Sequence, residues 1–183
     1  MNNSTKVVTG VVRLSYLHAL EPVSVNGGDP KYSASLIIPK SDTATIDAIN
    51  KAIDAAIEAG LGKFGGKKPK KSAIKIPLRD GDLERDDPAY ADAMFVNANS
   101  RTAPQIVDRH VKPILDPEEI YSGMYARVSI NFYAFNSNGN KGIACGLGNI
   151  QKIRDGEPLG GRSSAEEDFK PYEADDSDDD FLA

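Results

Sequence analysis

The sequence predicts a mainly β domain, a small and partly open barrel with α-helical additions. Three observations predict this fold class: several β-branched or alternating apolar runs, one run with apolar residues every three to four positions, and the dipeptide Asn138-Gly139, which strongly favours a two-residue hairpin. A chain of 183 residues with 40% hydrophobic residues suffices for one domain with a modest core. No apolar run is long enough to span a bilayer.

The predicted elements follow in order along the chain. Strands are expected over residues 7–17, 32–38, 74–78 and 94–100. A helix should begin after Ser41 or Asp42 and end at Gly60 in a left-handed conformation. Residues 60–71 should form a mobile loop, while 79–91 and 101–119 should form a polar connection and an irregular stretch. Strands over 123–135 and 143–153 should flank the Asn138-Gly139 turn.

The charge is unevenly distributed along the chain. The 22 basic and 27 acidic residues give a net charge of −5, which by itself argues against a nucleic-acid binder. Residues 163–183, however, contain nine acidic residues and one lysine, so this tail carries −8 and the rest of the chain carries +3. We therefore predict a folded domain over 1–162 and a disordered acidic tail over 163–183.

The tail ends in an acidic run followed by two apolar residues. This pattern predicts an anchor for an apolar pocket with a basic rim on a partner protein, formed by Asp178, Asp179, Asp180, Phe181 and Leu182. The alternative interpretation is a solubilising tail in which Phe181 and Leu182 have no specific role.

The predicted strand over 123–135 has two chemically different faces. One face is apolar from Met124 to Ala134 and suits the core. The other contains aromatic rings for stacking on bases, a guanidinium for phosphate and an amide: Tyr125, Arg127, Ser129, Asn131, Tyr133 and Phe135. The alternative is that these aromatic side chains pack under a helix or a loop.

Basic residues outside this strand could extend the same surface. The glycine-rich segment that we call the lysine loop, residues 60–71, can follow phosphates without fixed geometry. The candidates are Lys67, Lys68, Lys70 and Lys71 in the loop, and Arg13, Lys31, Tyr32, Arg101 and Lys141 elsewhere. The alternative for the loop is a solvated run of charge.

Catalytic interpretations have weaker support. Residues 60–68 resemble a phosphate-binding loop only superficially, because the first glycine and the Mg²⁺-binding hydroxyl are missing. Asp80, Asp82 and Glu84 could hold a metal ion for a nuclease, but no partner His or Lys accompanies them. We expect no cofactor, no metal and no enzymatic activity. The single Cys145 fits a reducing cytoplasm and should be a buried small apolar residue.

Several motifs together resemble a family of phage and prophage single-stranded DNA-binding proteins with an OB fold, formerly a domain of unknown function. The resemblance covers most of residues 7–162. The motifs are YSASLIIPK at 32–40, PLRDGD at 77–82, YSGMYARVSINFYAFN at 121–136 and GNKGIACGL at 139–147, continued by RDGEPLGG at 154–161.

The resemblance implies a five-stranded OB barrel that binds single-stranded DNA in phage replication, recombination or repair, in the cytoplasm of a bacterial host. The acidic tail is similar to those by which replication single-strand binders recruit proteins, although here Leu182 and Ala183 follow Phe181. Three alternatives stay open: a strand-annealing recombination protein, a binder of both single-stranded and duplex DNA, and a metal-dependent nuclease. The sequence leaves duplex DNA as a further partner and the oligomeric state undetermined, and indicates no membrane association.

Overall fold

The computed structural model describes residues 4–24, 27–159 and 168–172. The tail residues predicted to bind a partner, Asp178 to Leu182, lie outside the described residues. The described strands are β1 (Lys6–Val8), β2 (Val12–Val23), β3 (Lys31–Pro39), β4 (Leu78–Asp80), β5 (Ala93–Ser100), β6 (Ile106–Val107), β7 (Tyr125–Ser137) and β8 (Asn140–Arg154). The α-helices are α1 (Thr43–Ala59) and the single-turn α2 (Gly81–Glu84).

Five strands form a ring of pairings in the order β2, β3, β5, β8 and β7, because β7 pairs with both β8 and β2. The antiparallel pairs β2–β3, β3–β5 and β7–β8 are long, whereas β5 meets β8 through the single parallel pair Asn99–Gly146. β2 meets β7 at two positions only, Val12 and Arg13. The mainly β fold class is therefore confirmed, and the ring is loosely closed, as a partly open barrel should be.

Alternating side chains of the ring fill its interior. In β7, Ala126, Val128, Ile130 and Phe132 are at most 1% exposed. The helix α1 packs against this core through one apolar face, which includes the buried Ile49, Ile53 and Ile57. Asp42 caps α1 by accepting a hydrogen bond from the backbone N–H of Thr45. The predicted helix and one of its two candidate caps are confirmed.

The strand predicted over residues 7–17 is two strands. The chain leaves β1 at Thr9 and Gly10, whose backbone N–H donates to the Thr45 hydroxyl at 2.9 Å. A Cβ at Gly10 would lie 2.8 Å from Oδ2 of Asp42, so a larger residue there would displace the side chain that caps α1. After this crossing β2 continues to Val23, six residues beyond the predicted end.

The structure differs from the predictions for residues 60–78 in three respects. Gly60 ends α1 as predicted but has φ −111°, outside the left-handed region, whereas Gly65, which ends the following 3₁₀ helix, is left-handed with φ 79°. The segment predicted as a mobile loop contains a 3₁₀ helix over Leu61–Phe64 and buries the Phe64 ring. The predicted strand over 74–78 is a single bridge from Lys75 to Gly142, and β4 starts only at Leu78.

Residues 79–91 cover the outside of β3 and β5 and do not form a mere polar connection. The Tyr90 ring is fully buried beside Phe95, with centroids 5.2 Å apart and the planes nearly perpendicular. The Tyr90 hydroxyl donates to the Ser35 hydroxyl at 2.8 Å. Ile37 and Ala93 complete this second apolar cluster, which holds Arg85 at its edge.

The β7–β8 hairpin is confirmed and is longer than predicted. Asn138 has φ 52° and Gly139 has φ 85°, and this left-handed pair is what a two-residue type I′ turn requires. Within the described parts of the chain, no helix has the length and apolar character needed to cross a membrane.

Candidate nucleic-acid interface

The outer face of the β7–β8 hairpin is the side turned away from the core, with Arg127, Ser129, Asn131, Tyr133 and Phe135 on β7. The Tyr133 side chain is 45% exposed. Its cross-strand neighbours on β8 are small, because Ala144 pairs with Tyr133 and Gly146 pairs with Asn131. A Cβ at Gly146 would lie 3.7 Å from Cε1 of Tyr133. Since no large β8 side chain stands beside the ring, it is accessible for stacking.

At the turn end of the hairpin, the outer face meets the lysine loop. Phe135 is half-buried and pairs with Gly142, where Lys75 bridges to β8. The backbone N–H of Lys75 donates to the carbonyl oxygen of Lys141 at 3.0 Å. The Asn136 amide donates to the carbonyl oxygen of Lys63 at 3.0 Å. These contacts bring Lys141 and the loop to the same end of the hairpin, as the sequence suggested.

The lysines of the loop are not equivalent. Lys71 pairs with Asp54 of α1 at 2.7 Å, and Lys68 pairs with Glu58 at 3.5 Å. Lys67 and Lys70 are exposed and form no ion pair with any residue that the structure describes. Within the described structure, the loop therefore presents three unneutralised cations, because Lys63 is also exposed and unpaired, beside two that α1 already balances.

The opposite end of the outer face also carries a cation. Arg127 is exposed, and its Nε donates to the carbonyl oxygen of Thr9 at 3.1 Å, which leaves the rest of the guanidinium available. Asn131 is exposed as well, and its amide oxygen accepts a hydrogen bond from the Thr5 hydroxyl at 2.8 Å. The N-terminal segment thus orients both side chains without covering them.

Tyr125 and Arg13 depart from the prediction. The Tyr125 ring is half-buried between guanidiniums, with the Arg154 carbon 4.1 Å and the Arg13 carbon 5.6 Å from its centroid. Arg13 donates to the carbonyl oxygens of Gly123 and Glu157. Both side chains hold the segment that follows β8, so neither forms part of an open stacking surface.

Lys31, Tyr32 and Arg101 lie on β3 and just after β5 rather than on the β7–β8 hairpin. Tyr32 is half-buried and packs against the core, on the other side of its strand. Arg101 forms an ion pair with Asp29 at 3.0 Å, and Lys31 is the ladder partner of Val23, where β2 ends and β3 begins. Lys31 and Tyr32 thus lie at the start of β3, and Arg101 follows the end of β5.

Sequence reasoning missed a groove on the outside of β2, β3 and β5. It has a volume of about 330 Å³ and is lined mainly by polar and aromatic groups, namely Tyr16, His18, Ser33, Ser35, Arg85, Asn97 and Asn99. Polar residues alternate along β3 and β5, and this period of two in the sequence could have predicted a polar face on these strands. The groove adjoins the outer face, because Asn99 pairs with Gly146.

Arg85 is the most unusual group of the groove. Its guanidinium carbon lies 5.5 Å from the Tyr16 ring centroid, 5.2 Å from that of Tyr90 and 5.0 Å from that of Phe95. No carboxylate pairs with Arg85 among residues 4–24, 27–159 and 168–172. A cation fixed by aromatic rings and left without a counter-ion is suited to a phosphate or a base edge.

The acidic residues considered for a nuclease have other partners. Lys40 Nζ lies 2.9 Å from Asp80 and 2.7 Å from Asp82. The hydrogen bond from Lys40 lowers the pKa of Asp82, and the same bond raises the pKa of Lys40. Glu84 pairs instead with Arg79 at 3.5 Å. Asp80 and Asp82 therefore share the Lys40 ammonium, and Glu84 pairs within its own segment.

Comparisons with known proteins identify relatives of this chain. The model of the family described as Enterobacter phage Enc34, ssDNA-binding protein, matches residues 5–182. Protein p50 of Acyrthosiphon pisum secondary endosymbiont phage 1 is 34% identical over 170 residues, which cover 88% of this chain and 91% of that protein.

Two solved structures are similar in fold. The single-stranded DNA-binding protein from bacteriophage Enc34 in complex with ssDNA superposes with a TM-score of 0.75 at 27% identity, covering 85% of this chain and 90% of that one. The bacteriophage T7 protein gp2.5 has a TM-score of 0.61 at 15% identity, covering 94% of this chain and 100% of that one, and supports the fold alone.

The matched family consists of DNA-binding proteins and not of enzymes, which confirms that the chain is not an enzyme. The motifs at 32–40, 77–82, 121–136, 139–147 and 154–161 predicted this family, and the family model extends over nearly the whole chain. The chain therefore belongs to the Enc34 family of phage single-stranded DNA-binding proteins.

Proposed function

We propose that this chain binds single-stranded DNA along the outer face of β7 and β8. The observation that carries the proposal is the exposed Tyr133 ring beside Gly146, on a sheet face with cations at both ends. An open ring stacks on any base, and cations attract phosphates whatever the sequence. The Enc34 protein, which was solved in complex with ssDNA, supports the proposal through its similar fold.

The residues of the face have separate roles. Tyr133 stacks on a base, and Phe135 supports the neighbouring one from its half-buried position. Arg127 and Lys141 meet phosphates at the two ends, and Asn131 offers its amide between them. Lys67 and Lys70 guide the strand electrostatically, while Lys68 and Lys71 contribute less because α1 carboxylates neutralise them.

The groove at Arg85 extends the proposed DNA-binding surface from the outer face of β7 and β8 across β5 and β3. The pair Asn99–Gly146 joins the two surfaces without an intervening strand. Asn97, Asn99 and Ser33 provide donors and acceptors for base edges, and Arg85 provides a charge. Single-stranded DNA exposes its base edges, whereas duplex DNA pairs them, so the groove favours the single strand.

The tail completes the proposed function. Residues 163–183 carry −8, and this charge competes with DNA for the cationic surface. Once DNA displaces the tail, Asp178 to Leu182 become available to a replication or recombination protein. The protein then acts in phage DNA replication, recombination or repair in the cytoplasm of the bacterial host.

The experiment is a titration of a fluorescent oligo-dT by wild type and by Tyr133→Ala. Loss of one stacking contact should weaken binding about tenfold, because such contacts contribute about 1–3 kcal/mol per base. Leu83→Ala is the control, since the apolar Leu83 side chain is even more exposed, at 82%, but lies on α2 outside the face. The control should bind like wild type.

Two results would contradict the proposal. Equal affinity of Tyr133→Ala and wild type would show that the ring does not contact DNA. No binding of oligo-dT at low salt, by either the full chain or a chain ending at Arg162, would exclude DNA binding altogether.

A further inference from the structure

A two-stranded finger, residues 106–114, stands at the Arg127 end of the outer face. Its first strand, β6, pairs with Ile150 and Gln151 of β8. The finger closes through a bridge between Val107 and Pro113 and a hydrogen bond from the Ile114 N–H to the Ile106 carbonyl oxygen at 3.0 Å. The function proposed above does not use this element.

The tip of the finger is held in one conformation. Oδ1 of Asp108 accepts hydrogen bonds from the backbone N–H groups of His110 at 2.8 Å and Lys112 at 3.0 Å. These bonds lower the pKa of Asp108. The Gln151 amide donates to the Arg109 carbonyl oxygen at 3.2 Å and ties the tip to β8. The tip therefore presents a fixed shape rather than a flexible loop.

Val111 occupies the apex in a conformation that its side chain disfavours. Its φ is 63°, in the left-handed region, where a β-branched residue is strained. The side chain is 69% exposed, so burial does not compensate for the strain. Strain of this kind is concentrated at functional sites, where the surrounding structure maintains it.

Cations surround this apolar apex. Arg109 and Lys112 are exposed, as is His110, and none of the three forms an ion pair within the described ranges. Gln151 pairs with Arg127 in the β7–β8 ladder, so the cationic tip is continuous with the outer face. An apolar residue between cations can enter a base step while the cations hold the adjoining phosphates.

We propose that the finger acts where single-stranded DNA meets a duplex, with Val111 entering beside the terminal base pair. Arg109 and Lys112 then hold the backbones of the separating strands. The single strand released from the pair continues onto the outer face past Arg127. The finger would thus add duplex opening to single-strand binding, and this inference rests on the function proposed above.

The test compares two DNA substrates. One is unstructured oligo-dT, and the other is a short duplex with a single-stranded extension, labelled so that fluorescence reports its opening. Val111→Gly removes the side chain and tolerates the left-handed backbone, so this variant should fold as well as wild type. Leu115→Ala is the control, because Leu115 is apolar and 90% exposed but lies beyond the finger.

We expect Val111→Gly to bind oligo-dT within about twofold of wild type and to open the duplex at least about fivefold more slowly. Arg109→Ala combined with Lys112→Ala should slow opening as well. Opening by Val111→Gly at the wild-type rate would overturn the inference, and so would an equal loss in Leu115→Ala. Failure of wild type to bind oligo-dT would instead refute the function on which the inference rests.

Discussion

Arg85 illustrates how a single side chain acquires a role from its surroundings. Within its own segment it lies among acidic residues, and the sequence around it is that of a solvated connection. The fold instead brings its guanidinium within 5.5 Å of three ring centroids and separates it from carboxylates in the described structure. A weakly hydrated, planar cation gains from such rings and retains N–H donors for a ligand.

Replacement of Arg85 by Gln should weaken single-strand binding about fivefold, because the charge that faces the groove is lost. The measurement is oligo-dT affinity at two salt concentrations. Arg79→Gln is the control, since Arg79 is exposed and already pairs with Glu84. Urea unfolding of both variants separates a binding effect from a loss of packing on Tyr90 and Phe95. Unchanged affinity in a stable Arg85→Gln protein would exclude the groove from the DNA path.

At the scale of elements, sequence patterns correctly predicted the features that depend only on residues close together in the chain. The alternation in β7 identified the buried side chains correctly, and Asn138-Gly139 identified the hairpin. The buried Cys145 was predicted from its apolar neighbours, and burial raises the pKa of its thiol. These features depend on contacts along one strand or across one turn.

Features that depend on segments distant in sequence were not predictable. The chain is interrupted between β1 and β2 at Gly10 because α1 begins beside it. Tyr90 is buried because it packs against Phe95 and its hydroxyl donates to Ser35. Tyr125 is partnered because Arg13 and Arg154 come from two other strands. The aromatic face was therefore predicted as a set, but which of its rings is accessible was decided by long-range packing.

The lysine loop leads to a prediction about salt dependence. Lys67 and Lys70 have no ion-pair partner in the described structure, whereas Lys68 and Lys71 have partners on α1. Each phosphate contact on a single strand contributes about 0.7 to the slope of log affinity against log salt concentration. Lys67→Ala with Lys70→Ala should therefore reduce the slope by about 1.4.

The double variant Lys68→Ala with Lys71→Ala is matched in charge and serves as the control. It should reduce the slope less. On binding DNA, Lys68 and Lys71 only replace a carboxylate of α1 by a phosphate, so they neutralise less additional DNA charge. The slopes of both double variants are measured by oligo-dT titration from low to moderate salt and compared with that of wild type. Equal reductions would indicate that the loop acts only through its total charge.

At the scale of the whole molecule, the charge of −5 consists of +3 in residues 1–162 and −8 in the tail. The described body ends at Leu159, whose N–H donates to the Ser122 carbonyl oxygen at 2.8 Å. Leu159 also packs against the cluster of Ile37, Tyr90 and Phe95, and the last two of these rings hold Arg85. Leu159, the last described residue before the tail, thus packs against the rings that hold Arg85.

A chain that ends at Arg162 should bind oligo-dT about fivefold more tightly than the full chain at low salt, because the anionic competitor is absent. The difference should disappear as salt rises, since screening weakens the attraction of the tail for the body. Replacing the nine tail acids by Asn and Gln should reproduce the truncation, whereas Phe181→Ala should not change the affinity. Titrations of all four proteins at low and high salt provide the measurement. If the truncated and full-length chains bind equally at low salt, the tail does not compete with DNA, and its acidic residues must serve a partner protein alone.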